Sequence, residues 1–403
     1  MELFWLEHKK LWRKKIVKIC VLLCFVYCVI FGSILSFQWF SFGSSDDYTS
    51  AFGNNFDGYT VIKDSQEYAL SFGGELTDET LQQIVSDYQQ MEADGMEKEL
   101  EKTDWQIVNS WLGTLYPELR DTSNYKTMIS YVDPDKLTGF YERRQQVLDE
   151  FLEISGQVGA EKEFLHQMER KVEKPFHYEW VEGWSTLLGS MVADLGVVMA
   201  LFLGIVLSSL FAGEWHDNTS TLVLTTRNGW GKIALAKILT GLAFTVELFA
   251  LLAVSSVISQ LFFMGTAGWD MPIQNIKLFA VAPMNMLQAE IYEYAFVLLG
   301  AIGFAGIVMF ISAAVKNNVL TLLLSLAVVY GPMMIAEYLP YKMQKALDLI
   351  PLVGSSTDIF RTNTFRILGK LIWSPYLLIT IPVLIGILCM PFAIKSWSRR
   401  MKA

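Results

Sequence analysis

Apolar residues gather along this chain into long unbroken runs rather than recurring as narrow stripes, and about 20 such residues are what a bilayer-spanning helix needs. Six runs have that character, and the spans are expected at residues 19–41, 187–211, 233–263, 294–315, 319–336 and 374–394. Between the first two lies a polar stretch, residues 42–185, with helical periodicity of its own. Leu81, Ile84, Val85 and Tyr88 repeat after a Thr77-Asp78-Glu79 start, and Leu137, Phe140, Tyr141, Val147, Leu148, Phe151 and Leu152 repeat after Asp133-Pro134. Short β-like pieces, such as residues 59–62, accompany them. Trp105, Trp111, Tyr116, Tyr125 and Tyr131 predict a core there, since a bare linker would carry few aromatics. The fold class is therefore an all-α polytopic membrane protein: six transmembrane helices with a large, mainly helical extracellular domain between the first and the second.

Charge orients it. Lys9, Lys10, Arg13, Lys14, Lys15 and Lys18 precede the first run, and Lys395, Arg399, Arg400 and Lys402 follow the last. The positive-inside rule then places both termini in the cytoplasm of a cell (plasma) membrane. The segment 1–18 reads as a basic amphipathic helix at the interface, with Phe4, Trp5, Leu11 and Trp12 on its membrane-facing side. Residues 264–293 form an outer loop, 337–373 an outer re-entrant segment of short helices, and 395–403 a cytoplasmic tail. The five basic residues within 337–373 run against the orientation rule; an even span count with both ends inside is the consistent solution.

Composition agrees. The 403 residues are 52% hydrophobic, with mean hydropathy +0.34. Residues 42–185 hold 29 acids against 12 bases, a balance of −17; the chain has 41 and 32, which leaves 12 and 20 elsewhere, a balance of +8. All four cysteines, Cys20, Cys24, Cys28 and Cys389, fall inside apolar runs, so the acidic domain folds without disulfides. The spacing of the first three suits a packed helix face better than a metal site.

Catalytic and nucleotide-binding patterns are missing. Gly231-Lys232 and Gly369-Lys370 lack the remainder of a phosphate loop, the four histidines are scattered, and no nucleophile elbow occurs. No catalytic residue, metal site or cofactor is assigned to this chain. Two carboxylates sit within apolar runs, Asp194 and Glu247. Burying either costs roughly 2.5–3.5 kcal/mol, so each is expected to face the bundle interior or a wet cavity, as a substrate-path contact or an interhelical hydrogen bond. Gly300, Gly303 and Gly306 make a stripe that permits close helix approach.

The connector at residues 212–232 looks built to be gripped. Glu214 and Asp217 lead into Asn218, Thr219 and Ser220, good helix N-caps, then Leu222 and Leu224, and then a basic, aromatic turn containing Arg227 and Lys232. A short helix lying across the membrane face is expected.

With this loop, the basic N-terminus and the six runs, the chain resembles the permease subunits of ATP-binding cassette exporters of the type-2 membrane superfamily. The matching positions are Phe211, Glu214, Asn218-Thr219, Leu222, Leu224-Thr225, Thr226-Arg227 and Lys232 or Lys237. The large domain makes it similar to Gram-positive peptide-resistance and bacteriocin-immunity permeases. The resemblance implies a coupling helix received in a cleft of a separate ATPase subunit, which would hold the ATP and Mg. Glu214 and Asp217 would set register and Leu222 and Leu224 the buried contact, with Thr219, Arg227 and Lys232 beside them. It also implies two ATPase copies and a second permease chain, same or sister, exporting an amphipathic peptide, lipid or drug. Two other readings stay open: a sensory or immunity protein without bulk transport, and a secondary transporter with Glu247 as proton carrier.

Overall fold

A computed structural model of the chain describes residues 2–41, 66–67, 73–95, 105–217, 219, 231–354, 360 and 363–399. The protein is an all-α polytopic membrane protein: five of the described helices are long and apolar enough to cross a bilayer. The chain opens with α1 (Glu2–Arg13) and, after a bend at Lys14, α2 (Lys15–Ser41), which covers the stretch expected as the first span. Cys20, Cys24 and Cys28 form a buried stripe on α2 with Val17 and join the main apolar core, so small polarisable side chains here serve helix packing.

The polar domain follows, comprising β1 (Gly74–Leu76), α3 (Asp78–Ala93), α4 (Trp105–Leu115), α5 (Phe140–Ile154), α6 (Ala160–Glu169) and β2 (Phe176–Tyr178). Thr77 caps α3, its hydroxyl accepting from Thr80 N–H, and Leu81, Ile84 and Val85 are buried as their spacing predicts. They meet Trp111, Leu112, Tyr116, Met128, Leu137 and Phe140 in one core. β1 and β2 pair antiparallel, Leu76 opposite Phe176, and so join the two ends of this part of the chain. The β-like piece expected at 59–62 lies outside the described residues.

Next come α7 (Glu182–Thr186), a π-type turn at Leu187–Met191, and the spans α8 (Val192–His216), α9 (Gly231–Met264), α10 (Met286–Ala314) and α11 (Asn318–Ala336). α10 starts eight residues before the expected Tyr294. Asn285 and Gln288 form a reciprocal capping box that fixes the start, and this draws Glu290 and Glu293 out of the supposed loop into the helix. The α10–α11 turn is as tight as predicted, with Asn317 capping α11. The segment 337–373 is corrected in part: α12 (Tyr341–Leu347) is a short helix, but Thr364–Ile367 (β3) and Lys370–Trp373 (β4) form an antiparallel hairpin where an amphipathic helix was expected. Leu368 and Gly369 at positive φ make its two-residue turn, a geometry that matches strand twist and that no helix accepts. The last span is α13 (Ser374–Arg399).

The glycine stripe performs as predicted. A Cβ on Gly303 would lie 2.3 Å from Pro382 O and one on Gly306 2.4 Å from Gly386 O, so α10 and α13 touch backbone to backbone. At the other end of the bundle the polar domain is docked onto the 265–285 loop. Trp111 Nε1 donates to Asn275 O at 3.1 Å and Arg144 Nε to Leu278 O at 2.9 Å. Leu148, Leu152 and Leu165 share a core with Met271, Met286, Phe360, Trp373 and Leu378. Domain and bundle are thus joined by apolar burial as well as by hydrogen bonds.

Candidate functional site

The site is built where α8 ends, α9 begins and α1 crosses both. Nothing in Phe211-Ala212-Gly213-Glu214-Trp215 breaks a helix, so α8 continues past the expected boundary to His216. Ser312 of α10 accepts the N–H groups of Phe211 and Ala212, each at 3.1 Å, and donates to Ser208 O at 2.7 Å, pinning that last turn. Glu214 is therefore turned inward and is only 4% exposed. This corrects the expectation that it is presented to a partner.

Its carboxylate has internal partners instead. Oε1 accepts from Lys10 Nζ at 2.6 Å and from Lys237 Nζ at 2.8 Å, and Oε2 accepts from the Thr219 hydroxyl. Lys237, 2% exposed, also reaches Glu7 Oε2 at 2.8 Å. Lys14 Nζ donates to Ser209 Oγ at 2.9 Å. The result is an alternating chain of charges, Glu7–Lys237–Glu214–Lys10, which ties α1 to both arms of the loop. Burial costs each charge its hydration, and the close opposite charges offset that cost. Burial works against the Lys10 ammonium, yet the Glu214 hydrogen bond and field outweigh it and raise Lys10 above its ordinary 10.5. Lys14 goes the other way, lowered by burial and then by repulsion from Lys237 and Lys10. The cavity among these side chains is about 20 Å3, room for one water at most. Among the described residues the site is a joint and holds no substrate chamber.

The other expected residues divide around this joint. Asp217 caps α8 and is exposed, Lys232 is exposed in the first turn of α9, and Thr219 folds back onto Glu214. Leu222, Leu224 and Arg227 lie outside the described residues. On α1, Leu11 enters the core and Trp12 stacks edge-on against Phe244, with ring centres 5.8 Å apart, whereas Phe4 is half-buried and Trp5 mostly exposed. The aromatic face is thus shared between protein and surroundings.

Glu247 lies ten residues beyond Lys237, about 15 Å along α9. It was expected to face the interior or a wet cavity; its side chain is 42% exposed and lies against α1. Its oxygens meet His8 Nε2 at 3.2 Å and Trp12 Nε1 at 3.1 Å. Asp194 makes an interhelical hydrogen bond with the Tyr27 hydroxyl of α2, the structural role weighed for it. Lys10 was noted only as a charge and Glu7 was missed. Their i,i+3 spacing, extended to Lys14 at i+7, was the available signal that one stripe of α1 faces an ionic partner. Glu290 and Glu293, both buried, were missed because they sit within the segment read as a loop.

No family model, curated protein or solved structure matches this chain.

Proposed function

We propose that the chain is the permease subunit of an ATP-binding cassette exporter of the type-2 kind. The observation that carries this reading is the ionic joint, because it converts the loop between α8 and α9 into a lever. Glu214 and Lys237 flank the loop and bind each other directly, so a push on the loop cannot separate its two arms. α1 is fastened to both, so α1, α8 and α9 move together. A chain without a nucleotide site of its own needs such a point of attachment for a motor.

In this reading α2 completes six spans, the acidic domain lies outside the cell, and both termini face the cytoplasm of a Gram-positive plasma membrane. Two copies of an ATPase subunit carry ATP and Mg, and a second permease chain completes the path for an amphipathic substrate. The motor's contacts are the exposed charges Asp217 and Lys232 with Leu222, Leu224 and Arg227 between them. Glu214 and Thr219 support that surface from inside. Glu247, partly exposed and bonded to His8 and Trp12, is a weaker candidate for a proton carrier than an inward acid would be. The firm docking of the domain onto the 265–285 loop equally suits a sensor that passes ligand binding to the spans.

The test is co-purification of an ATP-binding cassette ATPase from the source membranes, using wild type and a Leu222→Asp, Lys232→Glu double variant. Capture and stimulated ATP turnover by the wild type alone support the reading. Equal capture by the variant, or no capture by either, refutes it.

A further inference from the structure

Tyr125 was expected in the domain core, yet it is fully exposed. It stands at the rim of a cleft of about 570 Å3 between α4 and the 120–128 loop, within the range of small-ligand sites. The floor is Gly113, on which an added Cβ would meet nothing within 4 Å. The walls carry Arg120, Thr122, Asn124, Thr127 and Tyr131.

The loop is held by its own hydrogen bonds. Asp121 N–H donates to the Tyr131 hydroxyl at 3.0 Å, Ser123 donates twice to Asp121 Oδ1, and Lys126 pairs with Glu92 at 2.8 Å. Ser123 stabilises the Asp121 carboxylate without neutralising it and Lys126 is paired with Glu92, whereas Arg120 makes no ion pair with another described residue. The cleft therefore offers an exposed phenol ring, amide and hydroxyl groups, and one guanidinium without an ion pair among the described residues. Met128 lies beneath this lining and is itself buried.

This set matches a sugar chain carrying an acid group: a ring face stacks on tyrosine, amides and hydroxyls pair with sugar hydroxyls, and a guanidinium grips carboxylate or phosphate bidentately. The surrounding domain, with a balance of −17 over residues 42–185, disfavours a polyanion, but at physiological salt fields fade beyond about 8 Å. A glycan whose only charge is a single acid group satisfies both conditions. We propose that this cleft binds an acid-bearing oligosaccharide, with Tyr125 as stacking platform and Arg120 as acid-group ligand, independently of any motor at the opposite face.

Calorimetric titration of the full-length protein in detergent tests it. The probes are a xylo-oligosaccharide bearing one glucuronate, its neutral methyl ester, a hexose oligomer bearing one phosphate, and an acidic peptide. Saturable binding of an acid-bearing glycan is expected, weakened about tenfold or more by Arg120→Gln, while the ester is unaffected by that change. Tyr125→Ala should weaken both. Gly113→Phe should abolish binding while retaining the wild-type melting temperature, since it fills open space on a helix. The proposal is overturned if neither acid-bearing glycan binds, if the acidic peptide binds as tightly, or if Gly113→Phe binds like wild type.

Discussion

Replacing Lys237 with methionine removes the central link of the charge chain while keeping side-chain length. Two acids lose a partner. Glu7 loses its ion pair with Lys237, and Glu214, buried at 4% exposure, keeps Lys10, whose side chain is 53% exposed, as its charged partner beside the Thr219 hydroxyl. Removing one partner of a buried pair costs roughly 3–5 kcal/mol. With Lys10 still in place the expected loss is about 3 kcal/mol, which corresponds to about 150-fold in the unfolding equilibrium. Equilibrium unfolding by SDS titration in mixed micelles measures it, and amide hydrogen exchange should show α1 opening first. Adding Glu214→Met should recover most of the loss, because the second change removes the stranded buried charge and Lys10 can turn to water. If Lys237→Met unfolds at the wild-type midpoint with α1 protection unchanged, α1 is not clamped and the lever argument fails with it.

Three further outcomes follow from the geometry. Gly306→Val drives a side chain into the Gly386 backbone and should cost about 3 kcal/mol or more in the same titration; Gly331→Val, where a Cβ meets nothing within 4 Å, is the control and should be near neutral. Burial raises Glu169, but hydrogen bonds and charge from Lys174 and Arg144 prevail and hold it below its ordinary 4.5. A depressed carboxyl contributes stability above its unfolded value and loses it as pH falls through the folded one, so the domain should weaken below about pH 4.5 and Glu169→Gln should reduce that acid-dependent loss in thermal melts. At Glu247, Gln can still accept from Trp12 Nε1 and should leave α1 in place, whereas Leu cannot and should increase α1 exchange; equal behaviour of the two variants would remove Glu247 from the attachment of α1.

Local chemistry was legible in the sequence wherever it was decided locally. Thr77 announced α3, Asn317 follows from the short 316–318 turn, and the Gly300–Gly303–Gly306 stripe foretold a close helix contact, since these depend on neighbours within a turn or two. What escaped depended on distance in the chain. Glu214 is bound to residues 204 and 23 positions away, and a loop that ends in acids reads the same whether those acids turn out or in. The β1–β2 pairing joins residues about a hundred positions apart, and neither three-residue strand has a pattern of its own. Tyr125 illustrates the opposite failure: aromatic content correctly signalled a core, but composition cannot distinguish the tyrosines that fill it from the one left on the rim.

The contact between Gly306 and Gly386 carries a consequence for biosynthesis. The two glycines are 80 residues apart in the sequence, which ribosomes translate in about 4–16 s. During that interval α10 is in the bilayer with its glycine groove bare, exposed backbone facing lipid and no partner helix yet made. α13 follows α10 by two further helices, so the groove is filled only once α13 has been made. A nascent chain that stops short of α13 would display that groove permanently, giving membrane quality control a recognisable mark of an unfinished molecule.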